Sequence, residues 1–204
     1  GSCSTGIHII LEELEEVFEA YIINLPAGDH FKPDYVAINP KSTIPALVRG
    51  DGTTLTEVPA IAYWLGRTRR RGKLWPRDAD VETRLIEAMT YIAGTVHGQG
   101  FARIFATNTF TRNAADHDAV RSLGRDIVTK GFAILNDMGD RPYLAGDFTV
   151  ADPILFYVTF WADKTAIPLP ANLAGHYRRM LTRPAVQQVL REEGYNPVTL
   201  GQLG

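Results

Sequence analysis

The chain opens on an apolar stripe. Ile7, Ile10, Leu11 and Leu14 recur at three- and four-residue spacing, while Glu12, Glu13, Glu15 and Glu16 fall between them, as in a helix with one buried face. The pattern predicts a helix from Thr5 to Glu15. Phe18 to Leu25, rich in aromatic and branched residues and closed by Pro26, reads as a strand, and Lys32 to Ile38 as a short helix stopped by Asn39-Pro40. Ala46 to Arg49 and Thr53 to Thr56 flank Gly50-Asp51-Gly52, a hairpin signal because glycine accepts the positive φ of tight turns. A helix follows from Glu57, with Pro59 in the first turn, where no hydrogen bond is lost, and with Ile61, Ala62 and Leu65 forming its apolar face.

After about Val81 the texture changes. Glu82 to Ala106, Ala114 to Met138, Val150 to Thr165, Asn172 to Thr182 and Pro184 to Glu193 all carry helical periodicity. The shift argues for two domains: a mixed one over residues 1–70, a connection over 71–80, and an all-helical one over 81–204. The connection begins in the basic run Gly66 to Arg71. A nucleic-acid patch there is disfavoured, since no aromatic platform is interleaved with the arginines, and a solvated helix end accounts for the charges.

Composition narrows the function classes. Of 204 residues 45% are apolar and 22% charged, and 21 basic against 23 acidic side chains leave a net charge of -2, so nothing calls for a nucleic-acid partner. The longest apolar runs reach only about eight residues, against the roughly 20 that cross a bilayer, and no basic-then-apolar leader opens the chain. A soluble, cytoplasmic protein without membrane contact is expected. The single cysteine excludes an internal disulfide, a CxxC pair and a multi-thiolate zinc site within one chain.

Cys3 lies just before the first predicted helix, where free amides and the positive end of the helix dipole favour a thiolate. Ser4 could donate a hydroxyl to the same anion, and His8 lies one helical turn on. The competing reading is a small buried hydrophobe. His97, followed by Gly98, Gln99, Gly100 and Phe101, sits inside a predicted helix whose two glycines imply either close packing or a bend beside a ligand. On its own a single histidine is more simply a hydrogen-bonded structural residue. No metal is expected, because none of the five histidines pairs with another at four-residue spacing. Thr149-Val150-Ala151-Asp152 reads as a capping box. Asp152, Asp147 and Glu57 have no spacing that pairs two carboxylates for acid–base work, and neither a nucleophile elbow nor a phosphate-binding glycine loop is present.

Taken in order, several of these segments resemble the cytosolic glutathione transferases, most of all the bacterial beta class. Gly1 to Ile9 (GSCSTGIHI) is similar to that class's opening helix, with a histidine five residues after the cysteine. Asn39 to Leu47 (NPKSTIPAL) resembles the loop and strand that carry the family's cis-proline, and Leu55 to Ile61 (LTEVPAI) its glutathione-gripping helix start. Tyr143 to Asp152 (YLAGDFTVAD) resembles the segment with the family's capping box, and Arg183 to Val186 (RPAV) a helix break near the end. The resemblance spans essentially the whole chain. It implies an α/β, thioredoxin-like N-terminal domain that binds glutathione as co-substrate, followed by an all-α bundle that helps form the site of an apolar electrophile.

By that resemblance, the backbone of Ile44, beside Pro45, would pair with the cysteinyl unit of glutathione. Glu57 would take its amino group, and the amide of Val58 a carboxylate. Cys3, Ser4 and His97 would serve the reaction at sulfur, with Phe101, Phe105 and Trp161 as walls for the second substrate. Some positions depart from the family. Its short interior first strand has no counterpart in this sequence; residues before Gly1 are the expected explanation, since losing that strand would strip hydrogen bonds from both its neighbours. Val58 replaces a serine or glycine, and Gly98 a basic residue. The resemblance therefore implies conjugation, or thiol exchange through a mixed disulfide at Cys3. A non-catalytic binding or regulatory protein is the alternative. A maleyl-type isomerase is disfavoured, because His8 stands where that class carries arginine. The family's usual homodimer fits the apolar faces of the Glu57 and Glu82 helices.

Overall fold

A computed structural model describes residues 1–137 and 141–201. Its mixed N-terminal part contains α1 (Ser4–Glu13), α2 (Pro33–Ile38), the strands β1 (Ala46–Val48) and β2 (Thr54–Thr56), and α3 (Val58–Thr68). A tight turn over Arg69–Gly72 leads to the helical part: α4 (Ala79–Tyr91), a π-helical stretch Ile92–Phe101, α5 (Ala102–Phe105), α6 (His117–Leu135), α7 (Ala151–Lys164), α8 (Ala171–Leu181) and α9 (Pro184–Glu192). Met138, where the sequence pattern ends the helix begun at Ala114, lies outside the described residues, as do 202–204. No described helix is long and apolar enough to cross a membrane.

The hairpin forms as the sequence predicts. β1 and β2 pair antiparallel with Leu47 opposite Leu55, and Gly52 closes the turn at φ +82°, the left-handed region in which glycine is least strained. The strand expected from Phe18 to Leu25 does not form. Among the described residues this segment joins no ladder, and Ile22 is 92% exposed. Branched and aromatic residues favour an extended backbone, but a strand is stabilised by a neighbour that takes its amides and covers one face, and no described segment does so here.

Helix α1 is buried more completely than one stripe allows. Ile9 is enclosed along with Ile7, Ile10, Leu11 and Leu14, because α1 packs on α3, α7 and α9 at once. Each such side chain contributes on the order of 2 kcal/mol by leaving water. Gly6 permits the contact with α7, since a methyl there would stand 2.9 Å from the carbonyl oxygen of Pro153. Glu13, on the flank of α1, is not solvated as the pattern suggested: Arg183 donates to it through Nε at 2.6 Å and Nη2 at 2.8 Å while lying 3.7 Å above the ring of Phe148. The packing therefore joins the two parts of the chain in one continuous apolar core.

The segment expected as a single helix from Glu82 to Ala106 widens into π geometry between Ile92 and Phe101. Its glycines answer the question they raised in the sequence. A methyl on Gly100 would lie 2.6 Å from Val128 Cγ2, and one on Gly124 would lie 2.8 Å from the carbonyl oxygen of Gly100, so at Gly100 the reason is close packing against α6. The Thr149 box forms as well, with Asp152 fully buried beneath it.

Candidate active site

Cys3 stands at the start of α1 with its backbone already helical (φ −63°, ψ −19°). The sequence left open a thiolate held by the helix-end amides or a small buried hydrophobe. Burial decides for the neutral thiol. At 6% exposure, loss of water pushes the thiol up from 9.0 to about 12; the amides of Cys3 and Ser4 pull it down by less, and the Glu57 carboxylate adds to the rise. Cys3 is thus a neutral donor, and its thiol points at the carbonyl oxygen of Ile44, 3.4 Å away. Ser4 is half-buried beside it, its Oγ 2.6 Å from that of Ser2.

The loop that carries Ile44 is tethered from below. Tyr35 donates its hydroxyl to the carbonyl of Thr43 at 2.5 Å, and the buried Asn39 donates its side-chain amide to the same oxygen at 2.7 Å. In the sequence Asn39 registered as a helix stop and as the first residue of the loop motif, with no side-chain role. The Ile44-Pro45 peptide is cis, as the resemblance implied. At the head of α3, Glu57 adopts φ +69° and ψ 119°, a conformation that L side chains rarely take and that costs about 1 kcal/mol or more. Strain of this kind persists where the surroundings impose it. Glu57 is accordingly pinned, with Lys41 donating to it at 2.7 Å and to Thr56 Oγ1 at 3.0 Å. Its carboxylate is 61% exposed. The side chain of Val58 is buried, but its amide is first in the helix and has no intrahelical acceptor.

On the helical side, His97 projects from the π-helical stretch. Burial pulls its pKa below the usual 6.5, so the ring is neutral at pH 7. Its Nδ1 lies 3.3 Å from the hydroxyl of Tyr157, and Trp161 stands edge-on to it at 4.8 Å. Trp161 also meets Phe101 and Phe105, each at 5.3 Å, and donates its indole N–H to the carbonyl of Gly1 at 2.9 Å. Phe105 is 54% exposed, whereas Phe101 is fully buried and stacked against it at 5.6 Å. Phe101 thus backs the aromatic wall rather than lining it.

Sequence reasoning missed Tyr157. Its ring packs against Gly6 of α1, 3.3 Å from where a side chain there would begin, and its ionisation is resisted first by burial and then by the proximity of Cys3. It therefore bridges the Cys3 end of α1 and His97. No signal in the sequence distinguishes it from the core residues around it in α7. The structure also groups His8, Glu12 and Glu192, with one ligand atom of each within 4.8 Å of the others. A search for histidine pairs passes over this trio. His8 already faces Glu192 at 3.1 Å and Glu193 at 3.6 Å, which makes it the hub of a polar contact between α1 and the end of α9.

Comparison with known proteins fits this geometry. Residues 1–68 match the glutathione S-transferase N-terminal domain family. The glutathione S-transferase GstA of Escherichia coli O157:H7 is 33% identical over 95% of this chain and 96% of its own length. The chain belongs to the glutathione S-transferase family. Among solved structures, a glutathione transferase homologue from Sulfitobacter with bound glutathione superposes with a TM-score of 0.84 at 26% identity, covering 96% of this chain and 95% of that one. The bacterial beta class glutathione S-transferase of Sphingomonas chungbukensis superposes with a TM-score of 0.80 at 27% identity, covering 96% of both chains. The fold is thus the thioredoxin-like domain plus helical domain that the sequence motifs implied, with the described sheet reduced to two strands.

Proposed function

We propose that this member of the family is a glutathione transferase that conjugates glutathione to apolar electrophiles. The observation that carries the reading is the contact of Cys3 Sγ with the Ile44 carbonyl, which brings the start of α1 against the Ile44-Pro45 loop. In this reading the backbone of Ile44, beside Pro45, pairs with the cysteinyl unit of the tripeptide, the carbonyl retaining a second lone pair for it. The exposed carboxylate of Glu57 receives its amino group, shared with Lys41, and the free amide of Val58 receives a carboxylate. Ser4 supplies a hydroxyl that donates to the glutathione sulfur and stabilises it as the thiolate nucleophile, and Cys3 adds its single S–H only by exchanging the Ile44 carbonyl for that sulfur. His97, Phe105 and Trp161, with Phe101 behind them, receive the second substrate.

Conjugation is preferred to thiol exchange. A mixed disulfide at Cys3 needs its thiolate to attack, and burial keeps that sulfur protonated. The relatives are named as transferases, which favours catalysis over a purely binding role. A cytoplasmic detoxifying homodimer completes the proposal. Pro59, Ala60 and Tyr63 of α3 and Ile86 and Met89 of α4 line an apolar surface hollow suited to a second copy of the chain.

Retention on immobilised glutathione and turnover of an activated aryl halide test the reading. The wild type should bind and conjugate, and Glu57→Ala should elute early with KM for glutathione raised about tenfold or more. A protein that neither binds glutathione nor conjugates any of a broad electrophile panel would overturn the assignment.

A further inference from the structure

Resting on the transferase reading, we propose that Tyr157 is a positioning residue that fixes His97 with its proton on Nε2, so that the imidazole offers bound substrate a hydrogen-bond donor and not a base. The hydroxyl of Tyr157 lies in a fully buried residue, and its partner among the described residues is His97 Nδ1, 3.3 Å away. Two arrangements could fill that contact. If Nδ1 carried the proton and donated to the tyrosine oxygen, the tyrosine O–H would be left buried without an acceptor, at about 1 to 3 kcal/mol. If the tyrosine donates, both groups are satisfied. The second arrangement puts the ring proton on Nε2.

The surroundings hold this choice in place. Tyr157 keeps its proton, since burial raises its pKa well above the ordinary 10. His97 stays neutral for the same physical reason. The phenol ring cannot turn away, because it is enclosed between Gly6 of α1 and Trp161, whose ring centroid is 5.0 Å off. Nε2 has no hydrogen-bond partner among the described residues, and the ring is half-buried beside Trp161, which the exposed Phe105 in turn meets edge-on. Its N–H is thus a polar donor set in an aromatic wall. That selects electrophiles with an acceptor atom next to an apolar body.

The tautomer can be read directly in protein labelled with nitrogen-15 histidine, by two-bond proton–nitrogen correlation at pH 7.5, with His97 assigned by its loss in His97→Gln. Wild type should show His97 as the Nε2–H form alone. Tyr157→Phe, which keeps the ring and removes only the hydroxyl, should give a mixture of both tautomers. Its kcat should fall about five- to tenfold with KM for glutathione unchanged, as expected for loss of roughly one hydrogen bond in the transition state. A wild-type proton on Nδ1, or an Nε2–H pattern unchanged in Tyr157→Phe, overturns the inference. The spectrum does not require turnover. An inactive protein with His97 locked as Nε2–H would overturn the transferase reading alone, and an active one with Nδ1–H would overturn this inference alone.

Discussion

Asp152 accepts from the backbone amide of Thr149 at 2.8 Å with one carboxylate oxygen, and its other oxygen accepts from the amide of Leu144 at 3.0 Å. The Thr149 hydroxyl at 3.2 Å and His176 Nε2 at 3.1 Å complete the shell of a carboxylate that has no contact with solvent. One side chain thus ties the start of α7, the loop before it and α8 together. Asp152→Ala leaves several buried donors unpaired. It should lower stability by roughly 3 to 5 kcal/mol, read from the urea midpoint at constant slope. A loss below about 1 kcal/mol would mean that the network carries little of the fold.

The contact of α1 with α7 sets a second expectation. Gly6→Ala places a methyl 2.9 Å from the Pro153 carbonyl oxygen and 3.2 Å from Ile154 Cδ1. Backbone on one side and a packed core on the other leave little room to yield, so a loss of about 1 to 3 kcal/mol is expected, or about 2 to 4 °C of melting temperature per kcal/mol. Gly175→Ala, within α8 where the added methyl meets nothing within 4 Å, should instead stabilise by about 0.5 to 1 kcal/mol. Equal shifts in the two variants would show that close approach is not what Gly6 provides.

The buried thiol of Cys3 gives a pH dependence with a definite sign. Its folded pKa, raised from 9.0 to about 12, leaves roughly one molecule in 10^5 as thiolate at pH 7. Iodoacetamide should therefore label the ligand-free protein far more slowly than a free cysteine, and the rate should climb as pH rises toward 12. The same shift is a stability statement. Below pH 9 both folded and unfolded chains hold the proton. Between 9 and about 12 only the folded chain does, so stability falls with rising pH by up to about 1.4 kcal/mol per unit. Cys3→Ala removes that contribution and should flatten the alkaline limb of the stability curve. Rapid labelling at pH 7 would show that the sulfur is not shielded as described.

The elements that the sequence located well are those whose signal is local. The α1 stripe, the Gly50-Asp51-Gly52 turn, the Pro59 helix start and the Thr149 box depend on residues within a few positions of one another, and each appears within a residue or two of its expected place. Phe18 to Leu25 failed because a strand is completed by another segment, and its composition says nothing about whether that segment stands alongside. The site divides the same way. Cys3, the Ile44-Pro45 loop and Glu57 were legible as motifs, whereas Tyr157 was hidden in a helix where almost every side chain is buried.

By itself the sequence determined the order of helices, the hairpin, the two-part architecture and the family, because periodicity, turn chemistry and ordered motifs are written along the chain. Only the tertiary structure decided the state of the chemistry. Whether Cys3 is charged depends on how much water the packing of α1 against α3, α7 and α9 removes. Which nitrogen of His97 holds the proton depends on a hydroxyl 60 residues away in sequence. Electrostatic free energies are set by distance and solvent access in space, and neither is encoded in the spacing of residues along the chain.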